Sequence, residues 1–164
     1  MALAYDGEAL WAGGRDGVLR IDPASGSVVE TLTVDGTGFR YVTALLLSQD
    51  GALWVGHAGG ASCFDGQRWE TLTTADGLPS DRVLALAEAR DGALWVGTEL
   101  GLARRLDGHN QTFTRQNGLA SDAVSVLFEG SRGVLWAGNG SRRPKSRPSR
   151  ICHHSRCCAV RSPA

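Results

Sequence analysis

The sequence lacks most features that would mark a membrane protein, a helical bundle or a disulfide-stapled domain. No apolar run in its 164 residues approaches the length of a transmembrane helix. The opening Met1-Ala2-Leu3-Ala4-Tyr5-Asp6 has no basic start and no long apolar run, so no secretory signal is visible. Only one of the four cysteines, Cys63, precedes residue 139, which excludes a disulfide framework from that part of the chain. Cys63 sits in an apolar stretch and reads as a small buried hydrophobe. No window carries a long stripe at the 3.6-residue period, so helices are expected to be minor. No glycine-rich phosphate loop and no activated nucleophile stand out. The Asp-Gly pairs at Asp6, Asp50 and Asp91 lack the alternating acids of a calcium loop and read as turns.

What is abundant is a repeated phrase. Leu-Trp-x-Gly recurs at Leu10–Gly13, Leu53–Gly56, Leu94–Gly97 and Leu135–Gly138, with the tryptophans 43, 41 and 41 residues apart. A 40–45-residue period with strand-like patterning points to a β-propeller with one sheet per repeat. The third copy shows the parts. Arg82–Ala87 is a first strand, Asp91-Gly92 a tight turn, Ala93–Gly97 a second strand, Leu102–Leu106 a third and Thr112–Thr114 a fourth. Turns are expected at Gly101 and at Asp107–Asn110, and the next first strand at Ala123–Phe128. The expected fold is therefore all-β. It is a propeller arc of about three complete four-stranded blades plus a partial blade over residues 1–138, followed by a disordered tail.

Each sheet of such an array buries both faces against its neighbours, and one large planar side chain per sheet fills that layer. Trp11, Trp54, Trp95 and Trp136 are assigned this packing role in preference to ligand stacking. The glycine two residues after each Trp is expected to let neighbouring backbones approach. Closed propellers have 4–8 blades, so an arc leaves exposed sheet edges. The expectation is a fragment of a longer ring, or a chain that completes its ring through further repeats or self-association.

The zero net charge arises by cancellation. Residues 1–138 hold all 17 acidic residues and 10 of the 17 basic ones, a net charge of −7. Residues 139–164 hold seven bases, no acid, three of the five prolines and three of the four cysteines. A disordered basic tail, a phosphate-binding arm and a reading frame slipped after Asn139 each account for this segment. Failure of the repeat in mid-blade favours the slipped frame, and no nucleic-acid partner is assigned. Cys152-His153-His154-Ser155-Arg156-Cys157-Cys158 contains metal-ligand types, but the spacing fits no zinc pattern and no metal or cofactor is assigned.

Several phrases together carry a family likeness: Asp91-Gly92-Ala93-Leu94-Trp95-Val96-Gly97-Thr98, then Gly101-Leu102-Ala103-Arg104, then Asn117-Gly118-Leu119-Ala120-Ser121-Asp122-Ala123-Val124. They resemble the two-component regulator propeller repeat, over about residues 1–138. His57 and Gly14 depart from it where Thr is usual, and the stretch Val34–Arg40 lacks the Gly-Leu-x-Ser phrase. The resemblance implies a non-catalytic, ligand-sensing part of a periplasmic or extracellular sensor in two-component signal transduction. Its ligand would be a small molecule or oligosaccharide. The output domain would lie elsewhere, and this chain has no membrane segment of its own. A protein-interaction scaffold and a streptogramin-lyase-like propeller enzyme are the alternatives.

No catalytic pair is assigned. His57, after a second strand, and His109, in a turn, are expected to be solvated and apart. Binding residues concentrate in loops on a rigid scaffold, which nominates the second-to-third-strand and blade-crossing loops. The candidates are Arg15, Asp16, His57, Thr98, Glu99, Asp81 and Asp122, with Ser80 and Ser121 beside them.

Overall fold

The computed structural model describes residues 1–33, 39, 41–131 and 133–140, together with the backbone strand 157–160. Alternating apolar side chains and tight turns give four antiparallel sheets. The first contains β1 (Ala2–Tyr5), β2 (Leu10–Gly13), β3 (Val18–Ile21) and β4 (Val28–Leu32) in that order. The second contains β5 (Ala44–Leu47), β6 (Leu53–His57), β7 (Gly60–Phe64) and β8 (Trp69–Leu72). The third contains β9 (Val83–Glu88), β10 (Leu94–Thr98), β11 (Leu102–Leu106) and β12 (His109–Phe113). The fourth has three strands, β13 (Val126–Glu129), β14 (Leu135–Gly138) and β15 (Cys157–Val160). Each sheet is one blade, and the first strands of successive blades pack side by side.

Apolar side chains lock the blades together. Trp11 shares a core with Leu53 and Val55 of the next blade, and Trp95 shares one with Leu135 and Ala137. Trp54, half-buried, packs on the cluster holding Leu94 and Val96. Fully burying one such aliphatic side chain stabilises by about 1.5–3 kcal/mol, so a repeated interface of several residues is the dominant favourable contribution. Among the described residues no further blade packs on Trp136, which is 38% exposed, whereas Trp95 is fully buried. The glycines after these tryptophans sit where blades touch: a Cβ on Gly56 would stand 2.7 Å from Val83 Cγ1.

Polar links add direction. Val124 donates its N–H to the Thr98 carbonyl (2.9 Å), and Val42 donates to the Gly14 carbonyl (2.9 Å). At the opposite end of the blades, Gln49 N–H donates to Glu88 Oε2 (2.7 Å) and Arg90 N–H to Glu129 Oε2 (3.0 Å). The blade-crossing segments close on single 3-10 turns at Thr74–Asp76 and Arg115–Asn117, the only helices among the described residues.

Three expectations are corrected. β12 begins at His109, which pairs with Leu106, so Asp107 and Gly108 alone form the turn. Both have positive φ (50° and 77°), the two-residue geometry whose twist matches a hairpin. β13 begins at Val126 rather than Ala123, because Val124 is engaged with the preceding blade. The patterning offered no third strand for the last blade, yet β15 pairs with β14 from Leu135↔Val160 to Gly138↔Cys157. The rest of the basic segment, the Cys152–Arg156 cluster and nearly all of the 34–40 stretch lie outside the described residues. No described helix is long and apolar enough to cross a membrane.

Candidate functional site

The loops between second and third strands gather on one side of the arc. In the first blade, Arg15 extends over Tyr41, its guanidinium carbon 5.5 Å from the ring centre and Nη2 3.4 Å from the phenol oxygen. The Arg15 carbonyl accepts the Tyr41 N–H (3.1 Å), so the pairing is fixed by backbone as well as side chain. Arg15 and the exposed Asp16 line a cleft of about 320 Å³ with Gly14, Gly17 and Leu19.

In the third blade the equivalent loop turns inward. Thr98 is fully buried; its hydroxyl donates to the Gly101 carbonyl (2.9 Å) and accepts from the Leu100 N–H (3.2 Å). Both functions of the hydroxyl are thus committed to the loop. Glu99 is exposed and pairs with Arg82 at 3.1 Å; both ends are solvated, so the pair contributes little stability. Asp81 Oδ1 accepts the Thr74 N–H (2.6 Å) and Asp122 Oδ1 accepts the Arg115 N–H (2.9 Å). The same seven-residue link thus holds each 3-10 turn against the start of the next blade. Ser80 accepts the Arg82 N–H (3.1 Å), and Ser121 is half-buried at the matching position. These residues hold loops, which is what short polar side chains at such places do.

His57 overturns its assignment as a solvated loop residue. It closes β6, pairs with Gly60 and lies edge-on to Phe39 at 5.1 Å. Nδ1 accepts the Gly59 N–H (3.1 Å), which leaves the proton on Nε2 for donation to Ser62 Oγ (2.9 Å). Ser62, fully buried, passes the chain on to Thr71 Oγ1 (2.7 Å). Burial holds the imidazole below its ordinary pKa, so it is neutral near pH 7. A serine beside a histidine invites comparison with an acyl-transfer dyad. Here Nδ1 meets a backbone N–H where a triad needs a carboxylate, and Ser62 is closed to solvent. His109, on β12 of the next blade, is exposed.

Around this chain is an aromatic group that the sequence did not announce. Phe39 contacts Trp69 edge-on (4.9 Å), and Trp69 stacks on Phe64 (4.9 Å). Phe39 comes from the one crossing segment without the repeat phrase, so no periodic signal pointed to it. Ser62 and Thr71 were findable in principle: they are cross-strand partners. On the opposite side of the first two blades, a cleft of about 630 Å³ is lined by Tyr5, Trp11, Arg20, Glu30, Phe64 and Asp65 among others. Arg20 there lies over the Trp11 ring at 5.5 Å, while Trp11 Nε1 donates to Asp6 Oδ2 (2.8 Å). In the third blade the same arginine position, Arg104, is ion-paired with Asp91 at 2.7 Å.

The Two component regulator propeller family model matches residues 77–99, from Gly77 after the first 3-10 turn to Glu99 in the loop after β10. Residues 77–99 are thus similar to one two-component regulator propeller repeat. The matched repeat runs through β9 and β10, including Trp95 and Gly97. No curated protein matches the sequence. Among solved structures, the chain is similar to the extracellular domain assigned to the hybrid two component system BT3049 from B. thetaiotaomicron. The TM-score is 0.73 and the identity 18%, covering 83% of this chain and 20% of that one. The corresponding extracellular domain of BT4673 gives a TM-score of 0.68 at 20% identity, covering 84% and 19%. Virginiamycin B lyase from Staphylococcus aureus, in complex with quinupristin, gives 0.65 at 17%, covering 83% and 47%. These likenesses establish the propeller fold. The chain spans about a fifth of each of the two sensor structures.

Proposed function

We propose that this chain is a non-catalytic, ligand-sensing propeller segment of a two-component signalling sensor, placed in the periplasm or outside the cell. The match of residues 77–99 to the regulator propeller model carries the reading. The similar extracellular sensor domains support it. The ligand is a small molecule or an oligosaccharide held on the loop side. Arg15, Asp16 and Glu99 are the exposed charged groups that reach it there, and His57 shapes the floor through Ser62 and Phe39. Thermal unfolding of the 164-residue protein against defined oligosaccharides and small metabolites is the test. A ligand at a hundredfold its Kd stabilises by about 2.7 kcal/mol, an easily read shift in Tm. The shift is expected to vanish in an Arg15→Ala, Glu99→Ala double variant. Absence of any shift across the panel counts against sensing, and a shift that survives the double variant counts against this site.

A lyase reading draws only on the likeness to virginiamycin B lyase. Among the described residues, the histidine bonded to a hydroxyl is His57, and its partner Ser62 is closed to solvent. Quinupristin incubated with the protein is expected to stay intact by mass spectrometry.

A further inference from the structure

Arg20 on β3 and Arg104 on β11 hold the same register position, each opposite the repeat tryptophan of its blade. Each guanidinium lies over that ring, at 5.5 Å for Trp11 and 5.9 Å for Trp95, and the Nε of each is buried without a partner. The terminal nitrogens differ. Arg104 Nη2 pairs with Asp91 at 2.7 Å, and Trp95 Nε1 is then left buried and unpartnered. In the first blade the aspartate is occupied elsewhere. Asp6 Oδ1 accepts the Glu8 and Ala9 N–H groups (2.8 and 2.6 Å), and Oδ2 accepts Trp11 Nε1 (2.8 Å). Among the described residues no carboxylate is ion-paired with Arg20. Glu30 on β4 is its cross-strand partner, where opposite charges ordinarily attract each other. Here the guanidinium lies over Trp11 instead, and Glu30 stays exposed. Both charges line the cleft of about 630 Å³ between the first and second blades, a size usual for small-molecule sites. The other two acids of the cleft hold turns: Asp6 as described, and Asp65 by accepting the Gln67 and Arg68 N–H groups (2.8 Å each). The second blade contributes Leu47, Leu53 and Phe64 to the wall.

We propose that this cleft binds a free α-amino acid with a large apolar side chain. Arg20 takes the carboxylate, Glu30 the ammonium, and Leu47, Leu53 and Phe64 the side chain. A guanidinium suits the first task because it offers a carboxylate two parallel N–H donors, and stacking on Trp11 holds its plane while leaving its edge free. The pairing of charges selects the ligand class. A simple anion would satisfy Arg20 but meet Glu30 beside it, and a simple cation would satisfy Glu30 but meet Arg20. A zwitterion answers both. The walls come from two complete four-stranded blades. They share no residue with the loop-side cleft of Arg15 and Asp16, so this is a second site.

Calorimetric titration of the 164-residue protein with L-phenylalanine and L-leucine reads the result. Both are expected to bind. N-acetyl-L-phenylalanine, which lacks the ammonium, and phenethylamine, which lacks the carboxylate, are each expected to bind at least about tenfold more weakly than L-phenylalanine. Arg20→Gln and Glu30→Gln are expected to weaken L-phenylalanine by at least about the same factor, since each leaves one ligand charge unpaired. Glu30 is exposed on β4, so its variant is expected to keep the wild-type urea midpoint and to read binding alone. No heat with either amino acid at millimolar concentration overturns the proposal. Equal binding of N-acetyl-L-phenylalanine also overturns it, as does an unchanged affinity in Glu30→Gln, which means that the amino acid sits elsewhere.

Discussion

Gly97 lies directly against Val124, at the point where the third blade meets the fourth. A Cβ on Gly97 would stand 2.5 Å from the Val124 carbonyl oxygen and 3.0 Å from its Cγ1. Val124 is held there by its own N–H, donated to Thr98. The crowding atom is backbone, so it cannot swing aside as the end of a flexible side chain would. In the first two blades a valine side chain does the crowding instead: Gly13 lies against Val42 Cγ1 and Gly56 against Val83 Cγ1.

Gly97→Ala is therefore expected to destabilise the chain by about 1–3 kcal/mol, the usual range for overpacking a close contact. Gly92→Ala is a useful contrast, because no atom lies within 4 Å of its Cβ position and only its positive φ of 79° resists the change. Urea midpoints of the two variants are expected to rank Gly97→Ala as the less stable.

Trp95→Ala is expected to cost about 3–5 kcal/mol, as for other fully buried aromatics. Trp136→Ala removes a ring that is already 38% exposed and is expected to cost clearly less in the isolated chain. Equal losses in denaturant unfolding would contradict the inter-blade assignment.

Asp122→Ala removes the acceptor for the Arg115 N–H and is expected to cost about 0.5–2 kcal/mol, by analogy with the loss of a helix cap. Asp81→Ala is expected to behave alike through Thr74. Neither is expected to alter ligand affinity, as measured by calorimetric titration, beyond the effect of lost stability.

Stability is expected to depend on His57. Burial lowers its folded pKa below the ordinary 6.5, so the unfolded chain binds a proton more readily. The His57 contribution is fully present above about pH 6.5 and is lost as pH falls from there toward the lowered folded value. His57→Gln is expected to flatten this part of a stability-versus-pH curve measured by urea unfolding.

Cys63 is expected to resist alkylation in the folded protein. Burial first, then the charges of Asp50, Glu70 and Asp65, push its thiol up to about 11, so little thiolate exists at pH 8. Peptide mapping after iodoacetamide is expected to find Cys63 labelled only when urea is present.

Much of the fold was legible because its signals are local. The tryptophan period, the Asp-Gly turns and the alternating strands each lie within one repeat, so β9 to β11 fell close to their expected bounds. The turn at Asp107-Gly108 was misjudged because two positive-φ residues suffice and His109 could already pair with Leu106. β15 was not legible because the intervening segment carries no repeat phrase, and its pairing with β14 spans that whole stretch.

By itself the sequence determined the blade. Apolar alternation, turn residues and one Trp every 41–43 positions leave few ways to bury both faces of each sheet. Only the tertiary structure decided what the polar loop residues do. Asp81, Asp122 and Thr98 are committed to loop hydrogen bonds, while His57, Ser62 and Thr71 form one partly buried chain with Phe39 against the His57 ring. The physical reason is that a hydrogen bond depends on distance and direction in space. Those are set when strands pair and blades stack, and a 41-residue period does not encode them.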